Sequence, residues 1–422
     1  MEHDFVDDLE IISDVQGRKD WQKFSFPVSY GLFTRIKWRG YAFDFNLRGH
    51  LKKISGNSSV WPNPLEQIKR TDSNDFLYYS TDGYENTYDL IKNYYVPYNE
   101  IYTSPIYDEI PLETPHVKQA LSAFDQLVEK TSRLVSSGSK EKTRSLLQKI
   151  MVFNRRTLAL EGERLHHIVG GPLPILPPDT INVDYEVIPL RVMEGCTDHC
   201  EFCRFKTGRT CRIRSRENIL DQLRSLKSLY GEDRINYNSL VLGENNALAA
   251  GIDLLEFAAW KAFEILSLEK SFQPGEPNLF LFGSPTLFVR TRESFFERLN
   301  ALPYNIYLNI GLESLDENTL KSIGKSLTGQ IVLEAFQRAL HINAAYSRIH
   351  ITSNFILGKS LPPQHVEGLR DLLLGVNRRQ EKGTVYLSPL IGNSERRQIL
   401  REFKEIKRAS RLPVYLYLMQ RL

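Results

Sequence analysis

Apolar and polar positions alternate along this chain in two rhythms. In "YAFDFNL", Tyr41, Phe43, Phe45 and Leu47 fall on one face with period two, as in a half-buried strand. Arg39-Gly40 before it is placed to turn a hairpin with "LFTRIKW". The next stretch, "NDFLYYSTDGYENTYDLIKNYYVPY", is dense in tyrosine, and Tyr78, Tyr79, Tyr84, Tyr88, Tyr94 and Tyr95 read as core and interface rather than as a substrate platform. The period then lengthens. In "PHVKQALSAFDQLVEKTSRLV", Val117, Leu121, Phe124 and Val128 share a helical face. "KEKTRSLLQKIMVFNRRTLALEGERL" reads as a second helical stretch, separated from the first by "SSGS". The proline-rich "GGPLPILPP", Gly170 to Pro178, does not continue a helix and marks a boundary.

Beyond that boundary, short apolar runs alternate with longer amphipathic stretches. The runs are "YEVIPLRVM", "SLVLGEN", "NLFLFGS", "NIYLNIGLES", "IHITSNFILG" and "TVYLSPLI". Between them lie helical stretches such as "RENILDQLRSLKSL", "LLEFAAWKAFEIL" and "ESFFERLNAL". Continuous apolar strands alternating with helices predict a parallel sheet with covered faces. The expected fold is α/β: a partial (β/α)6 TIM-like barrel preceded by an N-terminal α+β domain. The division is residues 1–180, of unknown role and separable as a lid or partner-binding domain, and residues 181–422, the barrel with a C-terminal extension. "LPVYLYLM" near the end is a candidate for one more strand.

Composition narrows the class. Four cysteines in 422 residues are too few for a disulfide framework. The acidic start "MEHDFVDDLE" is no signal peptide, and no apolar run approaches the roughly 20 residues of a membrane helix. A cytoplasmic location without a membrane span is expected. The net charge of +3 does not indicate nucleic acid.

Three of the four cysteines, Cys196, Cys200 and Cys203, fall together in "EGCTDHCEFCRF" with spacing C-x3-C-x2-C. They follow the first predicted barrel strand, on the face where such barrels place chemistry. Three thiolates on one loop suit three irons of a cubane cluster and leave the fourth iron open, the condition a catalytic metal site needs. The rival reading is zinc, with His199 completing a Cys3His set, but adjacent His199 and Cys200 are poorly placed to reach one tetrahedral ion. With only Cys211 left over, an auxiliary cluster held by several cysteines is excluded.

"CTDHCEFC" resembles the cluster loop of the radical S-adenosylmethionine (radical SAM) superfamily, and the resemblance runs over roughly residues 185–392. It implies a [4Fe-4S] cluster on Cys196, Cys200 and Cys203, whose open iron chelates SAM. One electron then cleaves the sulfonium to a 5′-deoxyadenosyl radical that abstracts hydrogen from substrate. It implies that Phe202 packs the adenine and that Gly243-Glu244, in "VLGENNAL", stands where the family has Gly-Gly-Glu, with Glu244 on the SAM amino group. In "NIGLESLDENTLKSIGK", Glu313 and Ser314 would face the ribose and carboxylate. "NFILGKSL" resembles the fifth-strand motif in Ile356 and Gly358, with Ile356 flanking the adenine, although Leu361 replaces its usual closing acid; Asn354 is a candidate cofactor ligand or a cap of the strand end. "RFKTGRTCRIRSRENILDQL" resembles the branch that includes cobalamin-dependent and Elongator-type members, yet residues 1–180 carry no cobalamin-binding pattern. The implied partners are an external electron donor of flavodoxin or ferredoxin type and a small-molecule or cofactor substrate. The alternatives are a non-catalytic carrier of the haem-chaperone kind and a zinc-stapled binding protein.

Arg204, Lys206, Arg209, Arg212, Arg214 and Arg216 crowd the stretch after Cys203. They either balance the charge of a thiolate-bound cluster or recognise a phosphate or carboxylate on the substrate, the latter through Arg212 and Arg214 pointing together.

Overall fold

The computed structural model describes residues 1–17, 31–61, 66–80, 96–98, 111–135, 140–173, 175–195, 211–243, 245–358, 361–390 and 396–417. Eight strands open the chain: β1 Glu2–Val6, β2 Leu9–Gln16, β3 Leu32–Trp38, β4 Tyr41–Phe45, β5 Leu51–Gly56, β6 Gln67–Arg70, β7 Phe76–Ser80 and β8 Val96–Tyr98. They form an antiparallel meander in chain order. The β3–β4 hairpin is as expected. Arg39 and Gly40 have φ of 49° and 81°, so both residues of the loop are left-handed and its twist matches that of the strands. Ile36, Phe43, Ile54 and Ile68 form a buried stripe across the sheet. It packs on the helix Pro115–Leu134 through Val117, Phe124 and Leu127. Most of the tyrosine-dense stretch and the "SSGS" break lie outside the described residues, although Tyr78 is buried in this core.

The second helical stretch is two helices, Glu141–Val152 and Arg155–Val169. The apolar period runs through Phe153-Asn154, but Asn154 is extended and its side chain accepts the Thr157 N–H at 3.0 Å. An asparagine that caps a new helix outweighs continuity of pattern. The helix Arg155–Val169 belongs to both halves of the molecule. Leu158 sits in the N-terminal core, whereas Leu165 and Val169 sit in the core of the second sheet.

That second sheet contains β9 Ile188–Leu190, β12 Ser239–Leu242, β13 Asn278–Gly283, β14 Asn305–Glu313, β15 Ile349–Leu357, β16 Val385–Pro389 and β17 Val414–Leu416. β10 Met193–Glu194 and β11 Arg212–Ile213 form a separate two-residue ribbon. All neighbours in the seven-stranded sheet are parallel, and their order follows the chain without reversal. Right-handed crossovers in unbroken order put every helix on one face, which makes the sheet an open barrel wall rather than a doubly wound sheet. Among the described residues the wall has seven strands, the last being the extra one expected from "LPVYLYLM".

The concave face is filled from within the chain. The proline-rich stretch enters it and continues as a 3-10 turn, Pro178–Val183. Asp179 there accepts the hydroxyls of Thr352 (2.7 Å) and Tyr386 (2.8 Å), while Tyr417 donates to the Leu176 carbonyl at 2.7 Å. The described residues of the Gly170–Pro178 stretch are therefore packed. Arg191, 1% exposed, donates to the carbonyls of Gly170, Gly171 and Pro172 at 3.0, 3.2 and 2.8 Å, and Leu173 and Leu176 are buried.

The N-terminal sheet meets the barrel at the amino ends of its strands, opposite the mouth. Lys52 pairs with Asp72 (2.9 Å) and Glu186 (2.7 Å), and Lys69 with Glu186 (2.9 Å) and Asp184 (3.3 Å). Asn46 and the Leu47 N–H donate to Asp233 at 2.9 and 3.2 Å. These contacts put the described part of the sheet under the barrel, not over its mouth. A cleft of about 80 Å³ at this junction, lined by Phe33, Lys52, Lys53, Lys69 and Gln273 among others, has every lysine ion-paired. Burial pulls the Lys69 ammonium down, but Asp184 and Glu186 outweigh it and hold its pKa above the ordinary value. Lys69→Met should therefore strand buried carboxylates and cost about 3–5 kcal/mol in urea unfolding, against about 0–1 kcal/mol for an exposed pair.

Candidate functional site

At the carboxyl end of β9, the chain leaves the barrel through a short stem. Met193 pairs with Ile213 and Glu194 with Arg212 in the β10–β11 ribbon, after which Gly195 turns outward with φ of 87°. The stem returns under Arg214, whose N–H donates to the Val192 carbonyl (2.9 Å) and whose guanidinium pairs with Glu194 at 2.7 Å. The loop that carries Cys196, Cys200, Phe202 and Cys203 hangs from this stem and lies outside the described residues, as do Arg204, Lys206 and Arg209. The described part of the basic stretch does not present paired arginines. Arg212 is exposed, Arg214 is committed to Glu194, and Arg216 stacks over Phe257 at 4.9 Å. Cys211 is exposed.

Gly243 ends β12 with φ of 80°, a conformation suited to glycine, and its N–H donates to Leu190 O at 3.0 Å. Glu244, the next residue, lies outside the described residues. Just beyond, Asn246 donates to Ser284 Oγ (3.2 Å) and accepts the Ser284 N–H (3.0 Å), which locks the loops after β12 and β13 together.

At the end of β14, a register shift between Gly311 and Glu313 breaks the ladder, and Glu313 adopts φ of 64°. A non-glycine residue there is uncommon. The fold keeps the conformation because Glu313 is 6% exposed and paired with the equally buried Lys325 at 3.2 Å. Gly311 makes room for the pair: a Cβ on it would lie 2.6 Å from Glu313 Oε1 and 3.1 Å from Lys325 Nζ. Asn354 stands directly across the ladder from Gly311. Glu313, Lys325 and Asn354 thus share one patch near the mouth. Lys325 was not singled out from the sequence, and its place in "KSIGKSL" carries no signal of charge pairing without the bulge.

Ser314 is also buried, and its hydroxyl is engaged within the protein. His365, from the helix Pro363–Leu374, sets Nδ1 2.8 Å from Ser314 Oγ and Nε2 2.9 Å from the carbonyl oxygen of Ile356. A carbonyl only accepts, so Nε2 carries the proton. Burial pushes the His365 pKa below its usual 6.5, and the neutral ring leaves Nδ1 to accept the Ser314 proton. The Asp316 N–H donates to Ser314 Oγ at 3.0 Å. One imidazole thus ties the ends of β14 and β15 together at two of the residues expected to face SAM. His365 was missed, because a lone histidine in "LPPQHVEG" has no pattern to mark it.

Deeper in the barrel, Asn309 Nδ2 lies 2.9 Å from Thr352 Oγ1 and 3.1 Å from Asn354 Oδ1. The Thr352 hydroxyl donates on to Asp179. Burial, together with the Asp179 carboxylate, raises the Tyr386 pKa well above 10.0, which keeps the phenol a donor to Asp179.

Residues 190–373 match the family model of the radical SAM superfamily, and this stretch of the chain is a radical SAM domain. No curated protein matches the chain. Among solved structures, the chain is similar to a radical SAM methyltransferase from Sphaerobacter thermophilus, at 16% identity over 55% of this chain and 65% of that one, TM-score 0.39. It is also similar to methylornithine synthase, at 10% identity over 71% and 81% of the two chains, TM-score 0.33. A third match is a cobalamin-dependent S-adenosylmethionine radical enzyme with aqua-cobalamin bound, at 16% identity over 52% and 30%, TM-score 0.33. The chain spans less than two thirds of the cobalamin-dependent enzyme and of the methyltransferase. Among the described residues, no helix is long and apolar enough to cross a membrane.

The His365 clamp has a pH signature. Because its folded pKa lies below 6.5, the unfolded chain binds the proton more readily. The stability that depends on the neutral ring is complete above about 6.5 and is lost as pH falls below it. His365→Leu leaves the buried Ser314 hydroxyl and Ile356 carbonyl without their partner and should cost about 1–3 kcal/mol per group at about pH 8. The gap between wild type and variant should narrow toward about pH 5, measured by urea unfolding at both ends; a constant gap would show that the ring does not titrate against folding.

Proposed function

We propose that the protein is a radical SAM enzyme in which Cys196, Cys200 and Cys203 hold a [4Fe-4S] cluster at the barrel mouth. The donor set fits: three thiolates on one short loop, tethered by the β10–β11 stem at the carboxyl end of the first barrel strand. That placement, inside the stretch matching the superfamily, is the observation that carries the reading. When bound, the cluster supplies the electron that splits SAM reductively, so that a carbon-centred radical takes hydrogen from a substrate.

The chain's own residues then have distinct tasks. Glu244 would accept the SAM ammonium as a charge-assisted hydrogen bond, beginning where Gly243 leaves the sheet. Glu313, already neutralised by Lys325, would offer hydrogen-bond acceptors to hydroxyls without adding net charge to the mouth. Phe202 and Ile356 would flank the adenine. Ser314 would act by position, since its hydroxyl is engaged with His365. An external flavodoxin or ferredoxin in the same compartment, taken as the cytoplasm, would reduce the site. Among the described members of the basic stretch, exposed Arg212 is the candidate to meet an anionic group.

Anaerobically reconstituted protein should hold about four irons with broad visible absorbance. Cys200→Ala should lose both, and zinc in place of iron would return the stapled-protein reading. Reduction in the presence of SAM should yield 5′-deoxyadenosine; an iron-loaded protein that binds SAM without cleaving it would favour the carrier. Glu244→Gln should weaken SAM by about 1.5–3 kcal/mol, or tenfold or more, in equilibrium dialysis. Unchanged affinity would mean that another residue holds the amino group.

A further inference from the structure

The polar side chains on the concave face are joined in a chain with a direction. Asp179 belongs to the segment before the first barrel strand, yet it lies inside the wall, 2% exposed. It receives two hydroxyl protons, from Tyr386 at 2.8 Å and from Thr352 at 2.7 Å. A threonine hydroxyl has one proton. Once that proton is given to Asp179, Thr352 Oγ1 faces its other neighbour as an acceptor. The neighbour is Asn309, which must turn its NH2 toward it, at 2.9 Å. The second proton of that NH2 goes to residue 354, at 3.1 Å, so Asn354 must present its oxygen inward. Its own NH2 then points away from Asn309. Along the path, Asp179 and Thr352 are 2% exposed, Asn309 is 0% exposed, and the outermost member, Asn354, is 8% exposed.

The surroundings of Asn309 do not decide this orientation. Its Oδ1 is buried without a hydrogen-bond partner among the described residues. Turning the amide over would only exchange an unpartnered oxygen for an unpartnered NH2. The reversed chain is otherwise self-consistent, with Thr352 donating to Asn309 and Asn354 donating inward. What forbids it is the carboxylate, which takes the Thr352 proton.

We propose that Asp179 is a positioning residue that sets the direction of this hydrogen-bond chain, so that Asn354 offers a donor at the mouth and the SAM group beside it is a hydrogen-bond acceptor. Asn354 faces Gly311 across the ladder, next to the Glu313–Lys325 pair. The donor therefore stands in the patch assigned above to SAM, and the inference rests on that reading. In effect, a residue outside the matched domain chooses the sign of a contact within it.

The test uses full-length reconstituted protein and SAM in equilibrium dialysis. Wild type that fails to bind SAM sinks the functional reading itself. With wild type binding, Asn354→Asp keeps the inward oxygen and replaces the outward donor with an acceptor. It should bind SAM at least about tenfold more weakly than wild type, and more weakly than Asn354→Ala. Affinity equal to or above wild type would overturn the proposal. Asp179→Asn allows the chain to reverse and should weaken SAM several-fold when residue 354 is Asn. It should have no further effect in the Asn354→Asp background, because a carboxylate at 354 has no donor to turn. Equal losses in both backgrounds would mean that Asp179 acts only through packing. If Asp179→Asn does not fold, Thr352→Val breaks the same link at constant shape and carries the same expectation.

Discussion

A parallel sheet whose strands follow one another in unbroken order has its helices on one side only. Its other face must be closed by something other than helices, and here the closure comes from the chain upstream. The proline-rich segment at the boundary passes into the concavity, is clamped at its start by Arg191, and ends in a 3-10 turn whose Asp179 bonds to β15 and β16. The interior is correspondingly polar, with Asn309, Thr352, Asn354 and Tyr386 facing the turn or one another. A hydrophobic filling would have closed the wall equally well, but it would not have carried orientation from the base toward the mouth.

The rhythm of the sequence revealed the wall because the wall is repetitive. Each buried parallel strand reads as an apolar run and each outer helix as an amphipathic one, so strand order and sheet class were legible from "SLVL" to "VYLSP". The cysteine loop was legible for a different reason, since three soft ligands at such spacing have few alternative uses. The breaks in rhythm were less legible. Asn154 ends one helix and starts another through a single side-chain hydrogen bond, which an apolar period does not register. The prolines at Gly170–Pro178 excluded a helix correctly, yet they gave no sign that the carbonyls of Gly170, Gly171 and Pro172 would be held by a buried arginine 19 to 21 residues later. His365, Lys325 and Asp179 escaped notice because each acts on a residue far away in the chain. Only the fold supplies their partners.

The two ends of the barrel are built on different electrostatics. Beneath it, Lys52 and Lys69 interlace with Asp72, Asp184 and Glu186 in a closed set of ion pairs that joins the antiparallel sheet to the strand amino ends. Near the mouth, the described charged and polar groups are held locally: a glutamate–lysine pair on a bulge, an imidazole clamp, and Arg214 paired with Glu194 on the stem. The lower network joins two bodies, whereas the upper contacts fix individual groups. This division agrees with the general separation of stability and chemistry between the two faces of (β/α) barrels.

The helix Arg155–Val169 lays its first turn in one core and its last in the other. On the ribosome, the antiparallel sheet and the helices Pro115–Leu134 and Glu141–Val152 emerge before the barrel, but the second half of this helix has no surface to cover until the barrel strands are made. The nascent N-terminal part must therefore wait with Leu165 and Val169 uncovered, along with the lysines meant for Asp184 and Glu186. Domains of most chains fold in the order of their synthesis. Here the early domain completes itself only with the late one, so exposure to chaperones and proteases during translation is written into the placement of a single helix.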